Sequence, residues 1–409
     1  CYVRSSSSST TGSRSLVSPP NMGHTPARIS LSMDQTPKIN RWLLPLSGIY
    51  GAGVSLRNSL YNMGRLKSHT FPIPIICVGN LAVGGTGKTP MIEHLIRMLM
   101  GDLRIAIVSR GYKRKSFGLK VAELGDSASR IGDEPAQLLR KFGDKIQIVV
   151  DGNRVRAINH LVNQPYSQRP DVILMDDGFQ HRSVQPSLSI LLSSYNRLMT
   201  DDVLLPAGRL REPAHGRYRA DVVVVTKCPT LLKPIDCTFT ERKLDLYPHQ
   251  KLFFSEVKYD NPVPIFRRDA EPTKIDTNAV VIAISGISHP EEFFAYVERG
   301  FSRVVTIPYG DHHHYSRRNV TTWENIMTDY LARGSEVVFL CTDKDAVKIF
   351  ELESYMSREL RERFLRLPIQ VRFRSHGEED LRELVLGHIA QFTSEQAQKE
   401  EQEGNEEKE

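Results

Sequence analysis

The sequence predicts an α/β protein that is built from two domains. Short runs rich in valine and isoleucine, between Ile75 and Val225, alternate with amphipathic segments of helical spacing. Most of these runs are continuously apolar, as expected for strands buried on both faces of a parallel sheet. A second series of such runs, between Val280 and Phe373, follows a charged, proline-containing stretch. A length of 409 residues suits about two domains of ~100–200 residues each.

The composition is that of a soluble globular chain, with 40% hydrophobic and 25% charged residues. It is too rich in large apolar residues for disorder of the whole chain. The sequence has no stretch of about 20 apolar residues, which argues against a spanning helix. The net charge of +6 is mild, and we expect no nucleic-acid partner. Five scattered cysteines without a CxxC pair favour a reducing compartment over a disulfide framework or a structural zinc site.

The first forty residues differ from the rest of the chain. They contain ten serines and four basic residues but a single acid, Asp34. This composition is typical of an organelle transit peptide, and an ordinary disordered terminus is the alternative. We therefore predict a disordered transit peptide over residues 1–40 and a mitochondrial location, with a plastid as the less favoured organelle.

Residues 41–68 form an apolar and aromatic segment that basic residues flank. Such a segment can lie in a membrane interface without crossing the bilayer. The alternative is a helix that packs on the domain that follows. Periodicity alone favours this packed helix.

The strongest motif follows the strand predicted at Ile75–Val78. It reads Gly84-Gly85-Thr86-Gly87-Lys88-Thr89 and opens a predicted helix. Strand, glycine-rich turn and helix in this order are the context of a P-loop, in which backbone N–H groups surround phosphate oxygens. There Lys88 neutralises the β- and γ-phosphates, and the Thr89 hydroxyl binds Mg²⁺. The first loop position is Ala82 rather than glycine, which is a slight departure from the motif.

A P-loop also needs carboxylates for its metal ion, and Asp176 and Asp177 follow the apolar run Val172–Met175. This arrangement is typical of a Walker-B-type strand. Adjacent side chains at a strand end point to opposite sides, so we expect at most one of the two to face the metal directly. A simple Asp-Gly turn is the alternative.

Further polar clusters follow predicted strands or begin helices, on the edge where open α/β sheets bind ligands. They are Ser109–Arg114, Gly132–Pro135, Leu205–Pro213, Tyr309–Tyr315 and Thr342–Asp345. Arginines in these loops can clamp phosphates, and Asp133 can accept a proton from a hydroxyl group. Consecutive histidines diverge, so an Asp-His pair at Asp311 and His312 suits proton transfer better than metal binding. Solvated turns and helix caps are the alternatives.

The order of these motifs resembles the tetraacyldisaccharide 4'-kinase family of lipid A biosynthesis over residues 41–385. The resemblance rests on Val78–Asn80, Gly84–Pro90, Ser109–Tyr112, Gly132–Pro135, Asp176–His181, Leu205–Gly208, Asp311–His313 and Thr342–Lys348. It implies transfer of the ATP γ-phosphoryl group to the 4'-hydroxyl of tetraacyldisaccharide 1-phosphate, an acylated glucosamine disaccharide, to give lipid IVA. It also implies a peripheral membrane protein. With the resemblance, we therefore expect residues 41–68 to form a membrane-interfacial helix rather than a helix packed on the following domain.

The resemblance further implies a P-loop NTPase-like kinase domain with a parallel sheet at residues 69–250. A second, smaller α/β domain at residues 276–390 follows a linker at 251–275, and a cleft between the domains holds ATP and the lipid headgroup. Residues 391–409, with seven glutamates from Thr393 onward, are predicted to be a solvated acidic tail.

The resemblance assigns a role to each residue of this sequence that matches a family motif. The resemblance implies that Asp133 is the general base on the sugar hydroxyl, that His312 assists it, and that Lys88 is catalytic. The assistance matters because an aspartate with its ordinary pKa, about 3.9, is a weak base for an alcohol. The implied ATP-binding residues are Gly84, Gly85, Thr86, Gly87, Lys88 and Thr89. The implied Mg²⁺ ligands are Thr89, Glu134, Asp176 and Asp177. The implied substrate-binding residues are Arg110, Gln180, His181, Arg209 and Arg211.

A P-loop ATPase switch of the partition type is the alternative function. Its loop is similar to Gly84–Thr89, but Val83 stands where those proteins carry a signature lysine. Strong ATP hydrolysis without lipid would favour this alternative.

Overall fold

The computed structural model describes residues 39–267 and 270–406, which belong to one compact unit. The transit peptide predicted at residues 1–40 lies outside the described residues, apart from its last two positions. The α-helices are α1 Leu44–Asn62, α2 Lys88–Leu99, α3 Ala128–Ile131, α4 Asp133–Phe142, α5 Arg154–Val162, α6 Pro234–Leu244, α7 Glu291–Gly300, α8 Arg317–Ala332, α9 Asp343–Phe350, α10 Arg358–Arg363 and α11 Gly377–Glu406. The strands are β1 Ile75–Asn80, β2 Ile105–Ser109, β3 Lys120–Val121, β4 Ile146–Val150, β5 Val172–Asp176, β6 Leu188–Ser194, β7 Val222–Thr226, β8 Lys251–Tyr259, β9 Val263–Pro264, β10 Val280–Ser285, β11 Val304–Pro308, β12 Val337–Thr342, β13 Phe364–Leu367 and β14 Ile369–Phe373.

The larger sheet has nine strands in the order β14-β8-β7-β6-β1-β5-β2-β4-β3. Its strands from β8 to β4 are parallel, and the edge strands β14 and β3 are antiparallel to their neighbours. Every residue of β1 is buried. Ile76 and Val78 pack into the core on one face of the sheet, and Ile75 and Cys77 pack into the core on the other. The predicted α/β class and parallel sheet are confirmed, because continuous apolar runs satisfy two buried faces at once.

The smaller sheet has five strands in the order β11-β10-β12-β13-β9. Its first four strands are parallel, and β9 is antiparallel to β13. Trp323 of α8 is fully buried against Phe364, which stacks on Phe339 with ring centroids 4.8 Å apart. This aromatic cluster forms the centre of a second hydrophobic core.

The domain boundaries differ from those that the sequence predicts. The linker predicted at residues 251–275 begins with β8, which pairs with β7 of the larger sheet. The domain predicted at residues 276–390 includes β14, which returns to pair with β8, and α11, which packs beside it. The first domain is therefore completed by the end of the chain. The predicted acidic tail is helical as far as Glu406.

The two sheets meet through α4 and α9, which pack against each other. Lys141 of α4 lies 2.6 Å from Asp343 of α9, and Lys344 of α9 lies 3.1 Å from Glu134 of α4. The α9 helix begins directly after β12, and α4 begins directly after Gly132, which lies against Gly111 just beyond β2. The packing of the two helices therefore brings strand-end loops of the two domains together.

Candidate active site

The phosphate loop is held in shape before any ligand is bound. Gly84 and Gly87 have φ angles of +110° and +88°, which only glycine adopts without strain. Asn80, the last residue of β1, donates from Nδ2 to Thr86 Oγ1 at 2.6 Å and accepts from Lys88 Nζ at 3.3 Å. Because Asn80 ties both sides of the turn together, the loop is preorganised for phosphate oxygens.

The loop predicted at 205–213 lies along the phosphate loop. The Val83 N–H donates to Arg209 O at 2.8 Å, and the Arg211 N–H donates to Leu81 O at 2.7 Å. A Cβ atom placed on Gly84 would lie 3.9 Å from Arg209 Nη1, so this guanidinium borders the phosphate loop. Arg209 is therefore well placed to meet a phosphate.

Asp177 and Arg211 form a two-point ion pair beside Lys88. Arg211 Nη2 and Nη1 donate to the two Asp177 oxygens at 2.7 and 2.9 Å, and Lys88 Nζ lies 3.8 Å from Asp177. Arg211 also donates to Asn80. Although burial raises the pKa of Asp177, the Arg211 guanidinium and the Lys88 ammonium outweigh burial and hold the pKa below its ordinary value. Arg211, which the sequence assigns to the substrate, organises the phosphate loop in this structure.

Asp176 has the opposite environment. Its carboxylate is buried at the end of β5 and accepts a hydrogen bond from Ser109 Oγ at 3.2 Å. Burial, and then repulsion by Asp177, raise the pKa of Asp176 to about 6. The two neighbouring carboxylates thus point to different partners, as the strand geometry predicts.

The residues predicted to bind Mg²⁺ fit that ion to different degrees. Asp176 forms no ion pair with any described residue, so a divalent cation would compensate its buried charge. Asp177 is already paired with Arg211, and Glu134 with Lys344. Among residues 39–267 and 270–406, no group of three or more His, Cys, Asp and Glu side chains is arranged around a metal site. Mg²⁺ typically needs only one or two protein carboxylates beside nucleotide phosphates and water, so Asp176 with Thr89 suits it.

Asp133 and His312 meet across the two domains. Asp133 begins α4, directly after Gly132, whose φ of +101° turns the chain. A Cβ atom on Gly132 would lie 2.8 Å from Gly111 Cα, so these two glycines let their loops touch. His312 Nδ1 lies 3.1 Å from Asp133 Oδ2. The structure therefore brings together the predicted base and its predicted partner, 179 positions apart in the chain.

The Asp133 carboxylate is only 12% exposed, yet it remains ionised. Burial raises its pKa, but Lys348, the hydrogen bond from His312 and the charge of Lys344 together lower it below the ordinary aspartate value. Lys348 Nζ lies 3.2 Å from Asp133 Oδ2. The carboxylate is therefore in the proton-accepting form at neutral pH.

The other predicted substrate residues have different surroundings. Arg110 is exposed beside the site. Gln180 donates to Asn80 O at 2.9 Å and to Glu212 Oε1 at 2.8 Å, which is a structural role. Burial, followed by the charges of Arg154 and other arginines, lowers the pKa of His181 to about 4, so its imidazole is neutral at physiological pH. A neutral His181 can donate or accept a hydrogen bond but carries no charge for a phosphate.

Two residues of the site have no predicted role. Asn80 connects the phosphate loop, Lys88 and Arg211, and Lys348 pairs with Asp133. Both lie inside motifs that carry the family resemblance, Val78–Asn80 and Thr342–Lys348. Only their positions could have suggested a role: Asn80 stands directly before the P-loop, and Lys348 lies on the buried face of a helix.

A preformed phosphate loop beside an Asp–His pair is the geometry of a P-loop phosphotransferase. Comparison of the sequence with protein-family models identifies the family. A model of the tetraacyldisaccharide-1-P 4'-kinase family (LpxK) matches residues 39–390, so the chain belongs to this family. A tetraacyldisaccharide 4'-kinase of Porphyromonas gingivalis is 45% identical over 353 residues, which cover 86% of this chain and 98% of the relative. One from Bacteroides thetaiotaomicron is 39% identical over 367 residues, covering 87% and 95%.

The fold is also similar to a solved structure, that of LpxK from Aquifex aeolicus in complex with ATP. The two chains are 30% identical and superpose with a TM-score of 0.67 over 86% of this chain and 99% of the other. The kinase fold that the sequence predicts is thus supported independently of the motifs.

Proposed function

We propose that this chain transfers the γ-phosphoryl group of ATP to the 4'-hydroxyl of tetraacyldisaccharide 1-phosphate and so forms lipid IVA in lipid A biosynthesis. The observation that carries the proposal is the 3.1 Å contact between Asp133 and His312, in a chain that also has a preformed phosphate loop. When an alcohol is phosphorylated, a proton must leave its hydroxyl group, and the ionised Asp133 carboxylate can accept that proton.

The proton acceptor in this reaction is Asp133. Its Oδ1 accepts the proton of the 4'-hydroxyl while the bond between O4' and the γ-phosphorus forms. The bond from that phosphorus to the β,γ-bridging oxygen breaks, and ADP leaves. His312 holds Oδ2 through its Nδ1 and keeps the carboxylate oriented. General-base assistance of this kind typically contributes about 10²–10⁴-fold to the rate.

Charge neutralisation makes the larger contribution to phosphoryl transfer. Lys88 and the backbone N–H groups of Gly84–Thr89 hold the phosphates, and Arg209 borders them. Mg²⁺, when bound, supplies further neutralisation of the β- and γ-phosphates, and Asp176 and Thr89 are the residues that would hold it.

The test is a transfer assay with γ-labelled ATP, Mg²⁺ and tetraacyldisaccharide 1-phosphate in detergent. We expect labelled lipid in a one-to-one ratio with ADP, and no label in the Lys88→Ala variant. Failure of the intact protein to label the lipid would refute the proposal. ATP hydrolysis that proceeds equally without lipid would favour the partition-type ATPase instead.

We also propose that α1 attaches the protein to a membrane surface. One face of the helix is tied to the first domain, since Ser47 Oγ donates to Leu204 O at 2.9 Å and Tyr50 Oη donates to Arg211 O at 2.7 Å. Leu46, Ile49 and Leu56, which follow helical spacing, are 53%, 72% and 63% exposed. Within the described part of the chain, every helix is too short or too polar to span a bilayer. An exposed apolar stripe with basic flanks suits the interface between headgroups and acyl chains.

For localisation, we propose that residues 1–40 direct the protein to mitochondria. The support is their serine-rich, arginine-containing and acid-poor composition. A fluorescent fusion of the full chain should reach mitochondria, and one with residues 1–40 replaced by a Gly-Ser segment of equal length should not. Equal targeting of the two fusions, or targeting to plastids, would refute the proposal.

A further inference from the structure

Asp133 has a second partner besides His312, the ammonium group of Lys348. Lys348 Nζ lies 3.2 Å from Asp133 Oδ2, the same oxygen that His312 Nδ1 contacts at 3.1 Å. The Lys348 side chain is only 7% exposed, and Asp133 is the one acid within ion-pair distance of it among the described residues. A buried ammonium group is costly unless it is paired, so Lys348 depends on this carboxylate.

Lys348 and His312 are fixed to each other inside the second domain. The Gly286 N–H donates to both oxygens of Asp345 at 3.1 Å, and Gly286 O accepts from the His312 N–H at 3.0 Å. Asp345 is nearly fully buried and lies three residues before Lys348 on α9. A Cβ atom on Gly286 would lie 3.1 Å from Asp345 Oδ1, so only glycine fits comfortably at this junction. The second domain therefore presents the imidazole and the ammonium as one unit.

The two oxygens of Asp133 are consequently different. Oδ2 faces both His312 and Lys348, whereas none of the described residues donates a hydrogen bond to Oδ1. We infer that Lys348 is a positioning residue: together with His312 it anchors Oδ2, so that Oδ1 is left to accept the proton of the substrate alcohol. This role rests on the proposed function, and it assigns the orientation of the base to a residue outside the Asp–His pair.

Other charged groups surround the pair without contacting the Asp133 carboxylate. They are Glu134 on α4, Lys344 on α9, and Asp311 beside His312, whose ring also faces Tyr112 at a centroid distance of 5.9 Å. Lys344 pairs with Glu134, and Asp311 accepts from Ser288. Lys348 is therefore the residue of α9 that acts directly on the base.

The test compares K348M and K348R in the full-length protein, alone and combined with D133N. We expect K348M to lower kcat for lipid phosphorylation by about 10–100-fold while the KM for ATP stays unchanged, because orientation of a reacting group affects turnover rather than nucleotide binding. K348R, which retains the charge, should recover part of this loss. In the D133N background K348M should cause no further loss, since both changes act on one carboxylate.

The matched control is K141M. Lys141 is a largely enclosed lysine, 9% exposed, at the α4–α9 interface, where it pairs with Glu93 and Asp343 but contacts no reacting group. K141M should lower the Tm and leave the kcat of the folded protein near that of the wild type.

Several outcomes would overturn the inference. One is a K348M loss that persists in the D133N background or appears mainly in the KM for ATP. If K348M does not fold, K348R is measured instead, in the wild-type and D133N backgrounds. A loss of kcat in K348R that is also seen in the D133N background contradicts the positioning role of Lys348. A wild-type protein that does not phosphorylate the lipid overturns the proposed function together with this role. If the wild type is active but the effects of K348M and D133N on kcat add, only the role of Lys348 is overturned.

Discussion

His312 Nδ1 lies 3.1 Å from Asp133 Oδ2, although the two residues belong to different domains. Neither domain alone contains the pair, because Asp133 begins α4 beside the larger sheet and His312 follows β11 of the smaller one. The site is complete only when α4 and α9 are packed together.

Asp176→Asn should stabilise the ligand-free protein at pH 8. Burial raises the native pKa of Asp176 to about 6, above its value near 3.9 in the unfolded chain. The native state therefore binds the proton more tightly, and stability falls as pH rises from about 4 through about 6. Removing the charge should add on the order of 1–3 kcal/mol to the free energy of unfolding at pH 8, and less at pH 5. Thermal unfolding at the two pH values measures this difference.

Asp171→Asn is the control at the other end of β5. The hydrogen bond from Arg104 lowers the pKa of Asp171, so its contribution has the opposite sign. Stability from Asp171 is present above its unfolded pKa and is lost as pH falls through the native one, so D171N should lower the Tm at pH 8. Equal changes in the two variants would contradict the account of Asp176.

Arg211→Met should weaken ATP binding by about tenfold, because it leaves the negative charge of Asp177 without its guanidinium partner beside the lysine that binds the phosphates. The variant removes the partner of Asp177 and of Asn80, and both residues lie beside Lys88. R211K should bind ATP with intermediate affinity, since an ammonium group cannot make the two-point contact. Titration with a fluorescent nucleotide measures the affinities, with Arg242→Met on the exposed face of α6 as the control. Unchanged affinity in R211M would show that the phosphate loop does not depend on this arginine.

Ile49→Glu should reduce binding to anionic vesicles by ~10-fold, because an apolar side chain on the exposed face of α1 becomes charged. Co-sedimentation with vesicles measures the bound fraction. Leu231→Glu is the matched control, since Leu231 is 89% exposed compared with 72% for Ile49 but lies outside α1. Equal loss in the two variants, or no loss in either, would contradict a membrane role for α1.

The sequence predicts the strands well where burial on two faces demands a continuous apolar run, as in β1, β5 and β7. It assigns β8 to a linker, because buried Phe253 and Ser255 alternate there with more exposed neighbours, whereas the strand belongs to the larger sheet. The sheet to which β14 belongs depends on its pairing with β8, which no local pattern encodes.

The candidate site, like the fold, is predictable only where local sequence patterns determine it. The phosphate loop follows from local rules, because glycines, Lys88 and a helix start occur within a few residues. The meeting of Asp133 with His312 came from the resemblance, since nothing in either segment specifies the other. The pairing of Lys348 with Asp133 was not predicted, because a lysine on a helix gives no sign of the carboxylate that a second domain supplies.

The most direct test of the account is single-turnover phosphorylation of tetraacyldisaccharide 1-phosphate by the wild type and by Asp133→Asn at saturating ATP. Asparagine keeps the size of the side chain but cannot accept the proton, so turnover should fall by about 10²–10⁴-fold. ATP affinity, measured separately, should stay unchanged. Turnover of D133N close to that of the wild type would contradict the role of Asp133 as the base.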